Sequence, residues 1–462
     1  RESKDRVRAA LKNSEFNLPS WRTNASVFLA PADLSKESSR FDLPIAVGVL
    51  AASGQVDADD LYQWEFLGEL SLTERLRAVK GALPAILRAR EQGRKLILPR
   101  ANAEEAGLVA DAEIYLAESL CDVAQALNGR QALPRAEPVS GFREITGPDL
   151  TDVLGQHRAR RALEIAAAGG HNLLLIGPPG TGKTLLASRL PGILPPMEET
   201  EALEAAAIAS VVGHELDPPT WRQRKFRSPH HTASGVALVG GGSKPRPGEI
   251  SLAHGGVLFL DELPEFSRHV LEVLREPLES GRVIISRAAV QAEFPARFML
   301  VAAMNPCPCG YEGDPSGRCA CTPDQIRRYR DRISGPLLDR IDLHVEVPRQ
   351  SLRDLPEGEP SVNVRQRVLE ARAIQSRRGG VNAQLDVGGI REHCALDAHQ
   401  ATLLETACDR LRLSARAHHR ILRVARTVAD LDASERIEAR HISEAIGYRQ
   451  LDRRPSAFAR TA

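Results

Sequence analysis

The segment Gly177-Pro178-Pro179-Gly180-Thr181-Gly182-Lys183-Thr184 satisfies G-x-x-x-x-G-K-[ST] at every fixed position. The chemistry of that spacing is phosphate binding. Glycines let main-chain N–H groups close on an anion, and a helix starting at the end of the loop adds partial positive charge. Lys183 would neutralise β- and γ-phosphates, and the Thr184 hydroxyl would hold Mg²⁺. Mg·ATP is the expected ligand. About 80 residues later, Leu258-Phe259-Leu260 delivers two carboxylates, Asp261 and Glu262. Asp261 would hold Mg²⁺, directly or through water, and Glu262 would polarise the attacking water. A different chemistry is offered by Cys307, Cys309, Cys319 and Cys321, four thiols in one short stretch. Four thiolates suit tetrahedral Zn²⁺ in a closed, structural site. Reduced thiols or a redox pair remain the alternative, because C-x-C is a less specific spacing than C-x-x-C.

These residues need elements to hold them. Leu173-Leu174-Leu175-Ile176 reads as a buried strand before the phosphate loop, and Leu185 to Leu190 as the helix after it. A second buried strand must end at Asp261, and a third, Met299 to Met304, ends at Asn305. In an open α/β sheet, ligands sit beyond such carboxyl-terminal strand ends. Gly281 to Arg297 reads as a hairpin. From about Ser351 the spacing turns helical, with helices over Val362–Arg377, Leu396–Leu411, Ala415–Leu431 and Ala433–Tyr448.

The chain has 462 residues, too many for one core. The first part, 1–125, alternates helix and strand as an α/β or α+β domain. Its expected helices include Asp5–Lys12, Pro44–Ala52 and Thr73–Arg90, with strands at Ser26–Ala30, Phe66–Ser71 and Leu96–Pro99. Residues 126–149 read as a linker, 150–350 as the α/β domain that carries these motifs and 351–462 as a helical domain. There is no starting Met, so the chain is expected to begin partway into its first domain.

Lys+Arg (61) and Asp+Glu (60) nearly cancel, so any nucleic-acid surface must be local. Aromatics at 4% disfavour base-stacking platforms. Seven cysteines, four of them clustered, fit a reducing compartment better than a disulfide framework. The apolar runs are too short to span a bilayer, so no membrane partner is expected and the cytoplasm is the expected location.

With these motifs the motor region resembles the AAA+ ATPases. By that resemblance Asn305 is the sensor 1 amide, set between the carboxylates and the γ-phosphate. Arg340, in Leu338-Asp339-Arg340-Ile341-Asp342, is the arginine finger that reaches a neighbouring subunit's nucleotide, which requires an oligomer. Arg416 is the sensor 2 arginine of the lid, acting in cis, with Arg420 and Arg423 on nearby faces. Asp152-Val153-Leu154-Gly155-Gln156 is either the loop that packs on adenine or, for Asp152, a helix cap.

Longer strings narrow the resemblance. They are Ser228-Pro229-His230-His231-Thr232-Ala233-Ser234, Gly240 to His254, Asn305-Pro306-Cys307-Pro308-Cys309-Gly310 and Gly335 to Asp342. Together they resemble the ComM/YifB family, magnesium-chelatase-like AAA+ proteins, over nearly the whole chain. The resemblance implies a homo-hexameric, ATP-dependent DNA helicase that promotes branch migration during natural transformation. It also implies a helix-2 insert within Ser228–His254 and a hairpin at Gly281–Arg297 that touches DNA. Lys244, Arg246, Arg282 and Arg287 could then contact phosphates or be solvated loop charges.

The first domain resembles the Lon-type protease fold over Asn17 to about Asn102. Lys36 to Pro44, carrying Ser38 and Ser39, falls where the nucleophile loop would lie, and Pro84-Ala85-Ile86-Leu87 where the Lys should be. A Ser without a base is a poor nucleophile. The fold class is therefore read as α/β, an AAA+ P-loop motor with a helical lid, preceded by a degenerate Lon-protease-like α+β domain. Two other functions fit parts of the pattern. One is a magnesium-chelatase motor, which a Lon-like first domain argues against, and the other is a Lon-like protease, which the missing Ser–Lys pair opposes.

Overall fold

In a computed structural model, the described residues are 2–17, 27, 39–139, 141, 143, 147–242, 245–287, 290–315, 317–350, 356–411 and 413–449. Of Arg287 and Val290, the backbone alone is described. The expected strand at Ser26–Ala30, the loop carrying Ser38, and Lys244 lie outside these residues, except for Val27.

The motor is organised by one five-stranded sheet. Its strands are β1 (Leu173–Ile176), β2 (Phe226–Arg227), β3 (Val257–Leu260), β4 (Met299–Met304) and β5 (Leu343–Glu346). All neighbours run parallel, in the spatial order β5-β1-β4-β3-β2. β3 and β4 are buried along their whole length, as befits strands covered on both faces. On one face Leu173, Leu175, Phe259 and Val301 pack under α1 (His157–Gly169) and α2 (Lys183–Ile193). On the other, Leu174, Leu258 and Leu300 meet Ile250, Leu263 and Phe266. A parallel sheet puts all carboxyl-terminal strand ends on one edge. β1, β3 and β4, adjacent in space, therefore deliver the phosphate loop, the carboxylate pair and Asn305 side by side.

The stretch between β2 and β3 is an insert. It holds a short helix at Gly235–Val239, a small hairpin pairing Gly240–Gly241 with Arg246–Pro247, and a helical turn at Glu249–Leu252. Before β4, Arg282–Arg287 and Val290–Pro295 form the expected antiparallel hairpin. Between β4 and β5 lies α3 (Pro323–Arg330), capped by Thr322 and Gln325.

The region read as a lid is helical, with Ser361–Ser376, Val387–His393, Ala398–Leu411, α4 (Ala415–Leu431) and Ala439–Gly447. Its apolar residues Val364, Val368, Ile421 and Val428 share one core with β1 and α2. Ser414 caps α4 by accepting from the Ala417 N–H. The last helix starts later than its apolar spacing predicts, at Ala439, because Glu438 and His441 form a capping box there.

In the first domain Trp64–Phe66, Lys95–Pro99 and Ile114–Ala117 make a parallel three-stranded sheet. The expected helix over Thr73–Arg90 is a correction. Leu76–Arg77 is a short strand, and the helix spans Ala82–Glu91. Gly81, at φ +73, holds the left-handed turn that separates them. The linker reading is also corrected in part. Leu120–Leu127 is helical, and the chain beyond lies against the sheet, with Leu116 N–H donating to Pro134 O at 2.9 Å and Ala136 N–H to Ile114 O at 2.9 Å. The backbone of these residues finds partners in the domain, so composition alone misread them. The domain docks on the motor helix Glu199–Val212, where the Gly81 N–H donates to Ser210 O at 2.9 Å.

Candidate active site and metal cluster

The phosphate loop turns sharply because Gly180 and Gly182 adopt φ +76 and +86. Gly177 admits no side chain, since a Cβ there would lie 2.2 Å from Val347 O. Lys183 opens α2 and folds back over its own loop. Its Nζ donates to Gly177 O (2.7 Å), Pro178 O (2.9 Å) and Asn305 Oδ1 (3.2 Å). Burial pushes the Lys183 pKa down, against the raising charges of Asp261 and Glu262. Among the described residues no carboxylate reaches ion-pair distance of this ammonium. A buried cation held by neutral oxygens fits a site whose counter-charge is a phosphate.

Thr184 Oγ1 donates to Asp261 Oδ2 at 2.7 Å, so the two expected Mg²⁺ ligands are already together. Two hard oxygens, one anionic, match the oxygen preference of that ion. Asp261 Oδ1 accepts from the Glu262 N–H at 2.9 Å. Glu262 itself stands at φ +53, a left-handed conformation that costs a non-glycine residue energy and is held by its surroundings. Its Oε2 lies 3.1 Å from His231 Nδ1, on the segment that follows β2. The sequence quotes His231 within a motif but gives it no role; its partner lies across the sheet edge.

The structure brings Lys183, Thr184, Asp261, Glu262 and Asn305 to one edge, and places the arginines elsewhere. Arg340 is 8% exposed, donates to Pro336 O at 2.8 Å and pairs with Glu279. That pairing holds the Glu279 carboxyl below its ordinary range, with the Arg416 charge adding to it. Of the other lid arginines, Arg420 pairs with Asp342 at 2.6 Å and Arg423 donates to Leu385 O. Both are used in holding the lid, whereas Arg416 is exposed. Asp342 also meets His171 at 3.3 Å, and the two partners hold its carboxyl far below the ordinary range despite full burial.

Asp152 pairs with Arg189 at 2.6 Å, and Asp149 is the residue that caps the local turn. Gln156, at φ +44, donates to Pro348 O at 2.8 Å. Of the candidate DNA contacts, Arg246 and Arg282 are exposed. Arg282 pairs with Glu293 across the hairpin at 2.9 Å, so its charge is partly neutralised.

The four cysteines converge. Their ligand atoms all lie within 4.8 Å of one another. Cys307 Sγ is 3.3 Å from Cys309 Sγ and 3.7 Å from Cys319 Sγ, and Cys309 is 3.7 Å from Cys319. A tetrahedron with metal–sulfur bonds of about 2.3 Å has edges near 3.8 Å, so the spacing fits Zn²⁺. No pair is a disulfide. A Tyr311 main-chain hydrogen bond lowers the Cys309 thiol to about 6; at Cys319 a main-chain hydrogen bond from Cys321 is outweighed by burial and the neighbouring thiols, which push it up to about 12. Four thiolates at this distance need a cation to ionise together. Cys121, Cys394 and Cys408 are elsewhere, Cys394 buried in the lid core.

Comparison with known proteins agrees with the sheet and its edge. Residues 149–355 match the model for magnesium chelatase, subunit ChlI, residues 358–449 that for its C-terminal part, and residues 1–102 that described as subunit ChlI of Mg-chelatase. The competence protein ComM of Haemophilus influenzae is 54% identical over 98% of this chain and 90% of its own length. The chain belongs to the ComM/YifB family of magnesium-chelatase-like AAA+ proteins. The family's YifB protein of Escherichia coli is 50% identical over 98% of the chain and 90% of its length. The magnesium-chelatase 38 kDa subunit of Rhodobacter capsulatus is more distant, 26% identical over 52% of the chain and 73% of its length. Because the match at residues 1–102 carries a chelatase description, that region no longer argues against a chelatase motor. No helix among the described residues is long and apolar enough to cross a membrane.

Proposed function

We propose that this chain is an ATP-driven DNA motor, a cytoplasmic homo-hexameric ring helicase that promotes branch migration during natural transformation and recombination. The supporting observation is convergence: Lys183, Thr184, Asp261, Glu262 and Asn305 come from three adjacent strand ends onto one edge. Kinship with a competence protein directs the motor toward DNA. In this reading the main chain of Gly177-Pro178-Pro179-Gly180-Thr181-Gly182 cradles the phosphates of ATP, and Thr184 and Asp261 hold Mg²⁺. Glu262 orients water, Asn305 steadies the γ-phosphate, Arg340 approaches from the neighbouring subunit, and Arg416 acts in cis as the sensor 2 arginine. Lys244, Arg246, Arg282 and Arg287 supply the charges that contact the DNA backbone. The four cysteines hold a structural Zn²⁺, and the Lon-like first domain serves in structure or binding.

A chelatase-type motor that drives metal insertion into a porphyrin is the second reading, favoured by the descriptions of the matching family models. ATPase rates with and without single-stranded or forked DNA, together with unwinding of a three-strand junction, separate the two. The expected result is stimulation and unwinding, both lost in Lys183→Ala and Glu262→Gln. ATP turnover indifferent to DNA, with metal insertion restored on adding chelatase partner subunits, would overturn the DNA reading.

A further inference from the structure

The residues between β4 and α3 form a long loop without regular structure among those described, and loops of that length in compact domains usually carry function. This loop carries the four-cysteine cluster, and it touches the ATP site twice. Its first residue is Asn305, and Cys307, fully buried, comes two positions after that amide. Gly310 then folds back, its N–H donating to Cys307 O at 2.9 Å, and lies flat against the phosphate loop. A Cβ on Gly310 would stand 2.7 Å from Pro179 Cδ and 3.8 Å from Asn305 Cγ. Gly310 is also at φ +85, so both conformation and space require glycine.

The far side of the loop is tied down more loosely. Arg330 donates to Pro306 O at 3.1 Å and pairs with Glu312, and the Glu312 N–H donates to Cys307 Sγ at 3.3 Å. A metal-free loop of this length keeps more of the freedom of an open segment than one whose ends are tied to an ion. With four thiolates on one ion, its ends and the Gly310 turn are fixed together.

We propose that the zinc knot is a positioning element of the ATP site, holding Gly310 against Pro179 and Asn305 beside Lys183, so that ATP turnover depends on metal occupancy. This rests on the ATPase reading above. The main-chain cradle and Lys183 are made by β1 and α2, so nucleotide affinity survives loss of the metal. What is lost is the placement of Asn305 and Pro179 around the reacting phosphate, and displacements of this kind can cost about 100-fold in rate.

The test uses the full chain. Metal content by mass spectrometry is expected to show one zinc per chain. Cobalt substitution is expected to give thiolate-to-metal charge-transfer absorption. Cys319→Ser and Cys321→Ser are expected to lose zinc and about 100-fold in kcat while binding a fluorescent ATP analogue within about threefold of wild type. Cys321→His, which keeps four ligands, is expected to restore both metal and rate. Gly310→Ala is expected to keep the zinc and lose kcat, which separates the knot from its contact with Pro179. Circular dichroism and gel filtration report folding for each variant. Folded, zinc-free serine variants with wild-type kcat would overturn the inference, as would a wild-type protein without zinc or full activity in Gly310→Ala. Zinc-loaded wild type that hydrolyses no ATP, with or without DNA, would instead sink the ATPase reading itself.

Discussion

The two ends of the motor domain are built differently. At the phosphate end, Lys183 meets Asn305 and Thr184 meets Asp261, and among the described residues the buried ammonium has no carboxylate at ion-pair distance. At the arginine end, Arg340 already has a carboxylate, Glu279, whose own side chain is 64% exposed. The first end is prepared for a ligand, and the second has its charge paired within its own chain. Under the proposed reading, ring assembly must trade the Arg340–Glu279 pair for a neighbour's phosphate. An Arg that would otherwise stand as a buried, unpaired charge is thereby kept neutralised in the isolated subunit.

The largest test breaks the arginine end. Arg340→Ala is expected to lower kcat about 10³-fold with little change in nucleotide affinity, measured by steady-state hydrolysis and by binding of a fluorescent ATP analogue. Unchanged kcat would show that this end takes no part in the chemistry. At the phosphate end, Glu262→Gln is expected to cost about 10²–10³-fold in kcat while trapping bound ATP.

Beside the arginine end lies the Asp342 network, which ties Arg420 of the C-terminal helices to the sheet. Removing the buried carboxylate in Asp342→Asn is expected to destabilise the fold by about 3 kcal/mol, read from denaturant unfolding, because Arg420 loses its partner. The pH dependence follows from the sign of the shift. Asp342 titrates lower when folded than the roughly 3.9 of an unfolded aspartate, so its contribution is present above that pH. It is lost as acid carries the pH down through the folded value, and Asp342→Asn should flatten this part of the acid-unfolding curve.

A milder change sharpens the comparison. Glu279→Gln releases Arg340 from an exposed partner, and a pair of this kind is worth at most about 1 kcal/mol. Half-maximal ATPase should then need a several-fold lower protein concentration; a higher concentration would mean that Glu279 serves the assembled interface. The smallest effect is expected from Arg282→Ala on the hairpin, which should reduce the slope of log affinity for DNA against log salt by about one.

The phosphate end was readable because a local pattern carries it. Eight consecutive residues specify the cradle, and three apolar runs, each ending in Asp261-Glu262, Asn305 or the loop itself, announce strands with reactive ends. The arginine end was not readable in the same way. Nothing near Glu279 marks it as the partner of Arg340, and Arg416, Arg420 and Arg423 look alike until Asp342 and Leu385 claim two of them. Composition misled at residues 132–139, where Gly, Pro and polar residues nearby suggested a free linker. The backbone there bonds to Leu116 and Ile114.

The sequence by itself determined the phosphate cradle, the carboxylate pair and the four thiols, because each is a run of neighbours whose chemistry follows from type and spacing. Tertiary structure alone decided that His231 meets Glu262, that Arg340 rests on Glu279, and that Gly310 presses on Pro179. Those pairs are far apart in the chain and are brought together by strand order, which no local pattern encodes.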